Sequence, residues 1–368
     1  MNELIIGTDF SGIGAPEQAL IELQQEGALK FKSVFSCEID KYARTSYEAL
    51  YGKGKVYEDI TKRDHSEVPK LDLYIAGFPC QAFSLAGKRM GFEEARGTLF
   101  FNVAEFIKIN QPECFILENV KGLLSHDSGK TFSTIISILS DNGGTVNGQH
   151  SIPYYDDGLG YHVYYQVLNT KEHGLPQNRE RIFIVGFKKE RDYRFPLPEK
   201  LNLKLKDVLE KEVDEKYYLS DKIIKGFLNK KDAHLYPFKP LNEDSSHTPC
   251  LTARYFKMGA TDPYIKIGAI RGRNEDNPKS RKSGLPTKQM LELNENGTSN
   301  CLTSVQKDNV VVTDKIRRLT PLECWRLQGF PDKQFYKAQQ VNSDTQLYRQ
   351  AGNSISVPVI KKVIKNIL

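Results

Sequence analysis

Short apolar runs alternate with amphipathic stretches through the first half of the chain. Residues 4–8 read as a strand, followed by the glycine-bearing turn Phe10-Ser11-Gly12-Ile13-Gly14 and a helix over 16–23. The same alternation predicts strands at 34–37, 71–76 and 114–117, with helices at 41–51 and 98–109. A helix over 132–139 and strands at 161–168 and 181–187 continue the pattern. Strands separated by helices of this length imply parallel βαβ units, so the predicted fold is α/β with a doubly wound, mostly parallel sheet.

Two stretches break the rhythm. Residues 141–160 are rich in Gly, Asn and Asp, lack periodicity and read as a surface excursion. Residues 191–313 carry short Tyr-, Thr- and Val-bearing segments between Pro, Gly and Asn clusters, which predicts a smaller, irregular, β-leaning second domain. Within it, 248–252 and 299–303 echo each other and read as two strand starts of a repeated hairpin. Helix-forming sequence returns at 321–327 and again from 357. There Val357, Val359, Ile360, Val363 and Ile364 form an apolar stripe suited to packing on the first domain. The expected division is therefore 1–190 with 314–368, and 191–313 apart.

Composition narrows the class. The 368 residues, 39% hydrophobic and 27% charged, suffice for two domains with real cores. No apolar run approaches the roughly 18 residues of a membrane span. The sequence opens on an apolar strand without a charged leader, so a cytoplasmic protein without membrane association is expected. The six cysteines form no C-x-x-C pair, and no His stands at zinc-finger spacing, so free thiols and no bound metal are expected. The net charge of +6 suits a polyanionic partner without specifying one.

Candidate chemistry gathers at predicted strand ends. The turn after the first strand, with Phe10, Gly12 and Ile13, has the physics of a nucleotide-type cofactor loop, because glycines let the backbone approach a ligand closely. A tight structural turn is the competing reading. Glu38 follows the second strand, where a carboxylate accepts ribose hydroxyls, and Asp59-Ile60 stands where an adenine amino group is read. Together they describe an adenosyl site. No G-x-x-x-x-G-K-[ST] loop accompanies them. Gly77-Phe78-Pro79-Cys80-Gln81 follows a buried strand and places a thiol at the sheet's lip, although a free Cys is more often a small buried hydrophobe. Glu118 at the next strand end, and Arg179 and Arg181 entering another, bring a carboxyl and two guanidiniums to the same edge; ion pairing among them is the competing reading.

With these residues in this order, the chain resembles the bacterial DNA cytosine-5 methyltransferases of type II restriction–modification systems. The resemblance rests on Phe10 to Gly14, Gly77 to Ser84, Glu118-Asn119-Val120 and Gln177 to Arg181. It continues in the segment from Arg318 to Pro331 and in Gln350-x-Gly352-Asn353-Ser354-x-Ser356-Val357-Pro358. It implies the S-adenosylmethionine-dependent methyltransferase fold and sequence-specific methylation of C5 of a cytosine flipped out of double-stranded DNA. Cys80 is implied as nucleophile at C6, Glu118 as acid at N3, and Arg181 with Arg179 as the hold on the cytosine O2 or the adduct. The implied donor contacts are Phe10, Gly12 and Ile13 in the loop, Glu38 on the ribose, Ile39, Asp59 and Ile60 about the adenine, and Pro79, Leu99, Asn353 and Ser354 about the methionine part.

Gln81, Ser84 and the loop to Gly97 are implied to close over DNA, and Arg271 and Arg273 of the target-recognition domain to meet phosphates or guanine edges. The usual setting implies host protection, or an orphan or phage copy, with any restriction endonuclease a separate protein and the enzyme a monomer. Two departures stand out: Thr8 occupies a place where the family often carries Asp, with Asp9 following it, and Ile39 stands where an aromatic often stacks on adenine. A tRNA cytosine-5 methyltransferase of the same fold and a catalytically idle DNA-binding relative are the alternatives.

Overall fold

The computed structural model describes residues 3–54, 56–79, 99–150, 158–220, 222–224, 240–241, 245–259, 262–267, 269–273, 288–292 and 315–368. The elements run β1 (Glu3–Asp9), α1 (Ala15–Gln25), β2 (Lys30–Cys37), α2 (Lys41–Tyr51), β3 (Val56–Tyr57), β4 (Leu73–Ala76), α3 (Leu99–Asn110) and β5 (Cys114–Val120). After α4 (Lys130–Ser140) come β6 (Thr145–Val146), β7 (Gln149–His150), β8 (His162–Asn169) and β9 (Glu180–Phe187). The later strands are β10 (Tyr264–Ile267), β11 (Ala269–Arg273), β12 (Lys288–Glu292) and β13 (Lys315–Arg318). Four helices close the chain: α5 (Pro321–Arg326), α6 (Asp332–Gln339), α7 (Asp344–Asn353) and α8 (Val357–Ile367).

The first nine strands form one sheet in the order β3-β2-β1-β4-β5-β9-β8-β6-β7. From β3 to β5 every neighbour is parallel, and β9 enters antiparallel to both β5 and β8. The chain winds outward from β1 in one direction and from β4 in the other, as the alternating pattern predicted. The crevice between β1 and β4 at their carboxyl ends is thus a topological switch point, where such sheets bind ligands. Leu73 to Ala76 are all buried, as a strand covered on both faces requires.

Local signals place the loops at that crevice. Gly14, at φ +77, precedes α1, and a Cβ there would lie 2.3 Å from the Tyr51 ring, so any larger residue displaces the donor-type turn. Asp40 caps α2 by accepting from the Tyr42 and Ala43 amides. The stripe on α8 is buried as expected, and α8 packs on α1, with Lys361 reaching Glu22 and Glu26. Burial of each such aliphatic side chain contributes about 1.5–3 kcal/mol.

The chain divides into two compact units. One comprises Met1–Leu203, Pro249–Lys257 and Pro321–Leu368, and the other Lys204–Thr248 and Met258–Thr320. The segment after 191 therefore stays with the first unit up to Leu203, and Pro249–Lys257 belongs there too. The second unit holds two antiparallel pairs, β10–β13 and β11–β12, and a small core of Leu219, Tyr264 and Ile316. Among the described residues no helix is long and apolar enough to cross a membrane.

Three expectations are corrected. The excursion at 141–160 contains the hairpin β6–β7, which extends the sheet beside β8; Asn147 and Gly148, both at positive φ, make the two-residue turn. Of residues 248–252 only Thr248 makes a β-bridge and the rest form no strand, and 299–303 lie outside the described residues. Helices α6 and α7 were not predicted. Helix α6 buries only Phe335 and Ala338, too few apolar positions for a clear period.

Candidate active site

Two of the cavities lined by described residues open on the first unit. The larger, about 350 Å³, is lined on the donor-loop side by Phe10, Gly12, Ile13, Glu38 and Asp40. Gly77, Phe78 and Pro79 border it after β4, Glu118, Asn119 and Val120 after β5, and Arg179 and Arg181 at the start of β9. Helix α7 closes it with Gln346, Arg349, Gln350, Gly352 and Asn353. The smaller cavity, about 290 Å³, is lined by Ile39, Arg44, Tyr57, Glu58, Asp59, Lys62 and Arg63.

The register of the sheet explains the first assembly. Strand β5 pairs antiparallel with β9, setting Val120 opposite Arg181 and Asn119 opposite Ile182. The Glu118 carboxylate consequently meets Arg181, with Oε1 3.1 Å from Nε. This contact falls short of hydrogen-bond geometry, and Oε1 is buried without a hydrogen-bond donor. Burial pushes the Glu118 pKa up, and Arg181 and then Arg179 pull against it. A carboxyl held toward its protonated form beside a cation is equipped to donate a proton. Asn119 Nδ2 donates to the Phe78 carbonyl at 2.8 Å, which ties β5 to the segment leading into Cys80.

The Gln177, Arg179 and Arg181 side chains divide their roles. Gln177, fully buried, donates to the Leu327 carbonyl and accepts from the Leu251 amide. Arg179 donates to the carbonyls of Leu251, Gly352 and Ser354, and one of its nitrogens lies 3.3 Å from Cys250 Sγ. Of the two arginines, Arg181 is the one that pairs with Glu118. Gly352 permits this packing, since a Cβ there would lie 2.3 Å from the backbone of Thr252 and Ala253.

On the other wall Glu38 accepts the Gly12 amide at 2.9 Å and the Asp40 amide at 2.8 Å, one on each oxygen. Burial raises its pKa, while the two amides lower it. Asp59 accepts from the Thr61 amide and hydroxyl, which hold its carboxyl below the ordinary carboxylate value.

A family profile described as C-5 cytosine-specific DNA methylase matches residues 9–153 and 154–368. The chain is 36% identical over 369 residues to the type II methyltransferase M1.ScrFI of Lactococcus lactis subsp. cremoris, covering 98% of this chain and 76% of that one. It is 38% identical over 359 residues to the type II methyltransferase M.NgoBI of Neisseria gonorrhoeae, covering 97% and 90% respectively. The chain belongs to the C-5 cytosine-specific DNA methylase family. The solved structure of a methyltransferase from Entamoeba histolytica matches with a TM-score of 0.69 over 100% of this chain and 98% of that one. Its 17% identity speaks for the fold alone.

The enzyme is a methyltransferase whose methyl donor is S-adenosylmethionine. The residues present fit that group. Glu38 keeps lone pairs for a ribose diol after accepting its two amides, and Asp59 and the exposed Ile39 stand in the adjoining cavity. Phe10, Gly12, Ile13, Pro79 and Asn353 share the larger cavity with Glu118, Arg179 and Arg181. Ile60 sits in the core, Leu99 opens α3 half-buried against that core, and Ser354 is buried with its carbonyl on Arg179; none of the three lines either cavity. Cys80, Gln81 and Ser84 lie outside the described residues. Arg271 and Arg273 lie on β11, opposite Met290 and Lys288 of β12.

Sequence reasoning missed the Cys250–Leu251 segment that receives Arg179 and Gln177, and the cavity residues Asp40, Gln346 and Arg349. Arg349 pairs with Asp40 at 3.5 Å. Its place one residue before Gln350 in the last motif was the available signal.

Proposed function

We propose that this enzyme is the modification component of a type II restriction–modification system, methylating C5 of one cytosine within a specific site on double-stranded DNA. The observation that carries the catalytic reading is Glu118, whose pKa burial raises and beside which Arg181 stands, in a cavity that Pro79 also lines immediately before Cys80. With the target base flipped from the helix, the Cys80 thiolate adds to C6 and Glu118 delivers a proton to N3. Arg181 faces the charge that develops on the cytosine O2, and its pairing with Glu118 keeps both groups at one position. Bound S-adenosylmethionine supplies an electrophilic methyl group to the nucleophilic C5. Glu38 and Asp59 orient its adenosyl part. The N3 proton returns to Glu118, and loss of the C5 proton to water or a nearby base then expels the Cys80 thiolate.

Arg179 serves this reaction from behind, because both terminal nitrogens of its fork are committed to backbone carbonyls. Arg271 and Arg273, which lie on the β11–β12 pair of the second unit, are proposed to meet DNA phosphates or guanine edges. The enzyme acts as a cytoplasmic monomer, with any cognate endonuclease a separate protein.

The test is transfer of labelled methyl groups to duplex DNA and to tRNA, run beside Cys80→Ala. We expect label in DNA alone and none with Cys80→Ala. Label in tRNA alone overturns the substrate, and activity surviving Cys80→Ala overturns the mechanism. Bisulfite sequencing of the product reads the target site, and resistance of that DNA to a cleaving partner tests the biological role.

A further inference from the structure

Asp9 and Arg63 form a buried ion pair beneath the site, and the catalytic reading above makes no use of it. Both side chains are fully buried. Arg63 donates to the two carboxylate oxygens of Asp9 at 2.7 Å each, and the Tyr74 hydroxyl donates to one of them at 2.6 Å. The guanidinium also lies over the rings of Phe35 at 4.4 Å and Phe106 at 4.7 Å. A buried pair of this kind is weak evidence of stability, since apolar groups of similar volume commonly serve as well or better. What it adds is a fixed, bidentate geometry.

The location gives that geometry a use. Asp9 ends β1 and is followed directly by Phe10, whose backbone stands at φ +54 and whose residue lines the larger cavity. Arg63 ends the turn that Asp59 opens, a turn held by the Thr61 bonds to Asp59 and by the Lys62 amide on the Asp59 carbonyl. It also lines the smaller cavity. We propose that the Asp9–Arg63 pair is a positioning device that fixes the methyl-donor loop against the adenine-reading turn, so that both ends of S-adenosylmethionine are met at one spacing. Thr8, standing where the family often has an acid, is engaged otherwise: its hydroxyl donates to the buried Glu17. The acid one residue later points instead into the sheet's interior pair. This inference rests on the cofactor assignment but not on Cys80 or the DNA reading.

The decisive variant is the double substitution Asp9→Leu/Arg63→Met, which removes both charges together and leaves neither one unpaired. Its affinity for S-adenosylhomocysteine is read by calorimetry on the protein alone, and its KM for S-adenosylmethionine and kcat are read on DNA. We expect a melting temperature near wild type, about tenfold weaker binding, KM raised to match, and kcat within about twofold. A folded double variant with unchanged Kd and KM overturns the proposal. If the double variant does not fold, Arg63→Lys decides, since it keeps the charge and loses the fork. Weaker binding with kcat retained supports positioning, and unchanged binding overturns it. Wild-type protein that fails to bind the probe at all would count against the cofactor assignment itself.

Discussion

Asp9–Arg63 and Glu118–Arg181 pair the same chemical groups inside one catalytic unit, and they are built differently. In the first, both partners are fully buried, both carboxylate oxygens are bonded and a tyrosine hydroxyl adds a third contact. In the second, the Arg181 and Glu118 side chains remain 18% and 11% exposed at a cavity, and their 3.1 Å contact leaves Glu118 Oε1 without a hydrogen bond. The first arrangement has no solvent-exposed capacity for a ligand. The second retains it, because an incompletely satisfied carboxyl beside a cation is free to exchange a proton and to meet a new partner. The same residue types serve to hold the fold in one place and to carry chemistry in the other, and exposure together with the completeness of the hydrogen bonding tells them apart.

The comparison breaks most visibly if each pair is broken singly. Arg63→Met leaves Asp9 buried without its cation, and such a loss costs about 3–5 kcal/mol. Denaturant unfolding is expected to show that loss, while kcat of the folded fraction stays within about twofold. Arg181→Met is expected to do the reverse, lowering kcat about 10²–10³-fold with a smaller stability loss, as removal of an electrostatic stabiliser does. The stability loss is limited because Glu118 can answer by keeping its proton. Arg181 lowers the Glu118 pKa, so its removal raises that pKa further. The rate falls as pH rises through the pKa of an essential acid, and in Arg181→Met that alkaline limb moves to higher pH. A limb that stays in place removes Glu118 as the acid.

Glu38 lies between these extremes, since its two amide bonds hold it and its remaining lone pairs face the cavity. Glu38→Gln retains the shape and removes the charge. Hydrogen bonds to charged groups contribute about 1.5–3 kcal/mol, so KM for S-adenosylmethionine is expected to rise at least about tenfold, with kcat little changed. An unaltered KM would move the ribose contact elsewhere.

How much of this was legible in the sequence follows from what produces each feature. The sheet was readable because β1, β4, β5 and β9 are nearly continuous apolar runs between glycine turns and helices. Glu118 and Arg181 were readable as candidates because each stands at the end or start of such a run. Their ion pairing stood as the competing reading, but which arginine takes it was not readable, since that depends on the antiparallel register of β5 with β9. The division of labour between Arg179 and Arg181 was hidden for the same reason: the carbonyls of Leu251, Gly352 and Ser354 come from distant segments. The Asp9–Arg63 pair left no local signal at all, because a charge in an apolar strand discloses its partner only when the chain folds. The Asn147-Gly148 hairpin was legible and was passed over, its strands being only two residues each.

His173 carries the comparison to its limit, as a titratable group buried with no partner. It is 1% exposed, and neither ring nitrogen has a hydrogen-bond partner. Burial pushes its pKa below the ordinary value, the Lys362 ammonium adds to this, and Glu199 opposes it. The folded protein therefore accepts this proton less readily than the unfolded chain does. Stability from the neutral ring is complete above the unfolded pKa of about 6.5 and is lost as pH falls below it toward the depressed folded value. Between pH 7.5 and 5.5 the wild type is expected to lose more stability than His173→Leu, whose buried side chain has no proton to take up. Thermal unfolding across that range measures the difference. Parallel slopes for the two proteins would mean that His173 finds a partner or water on protonation, and that incomplete bonding at a buried group does not by itself mark it as a sensitive one.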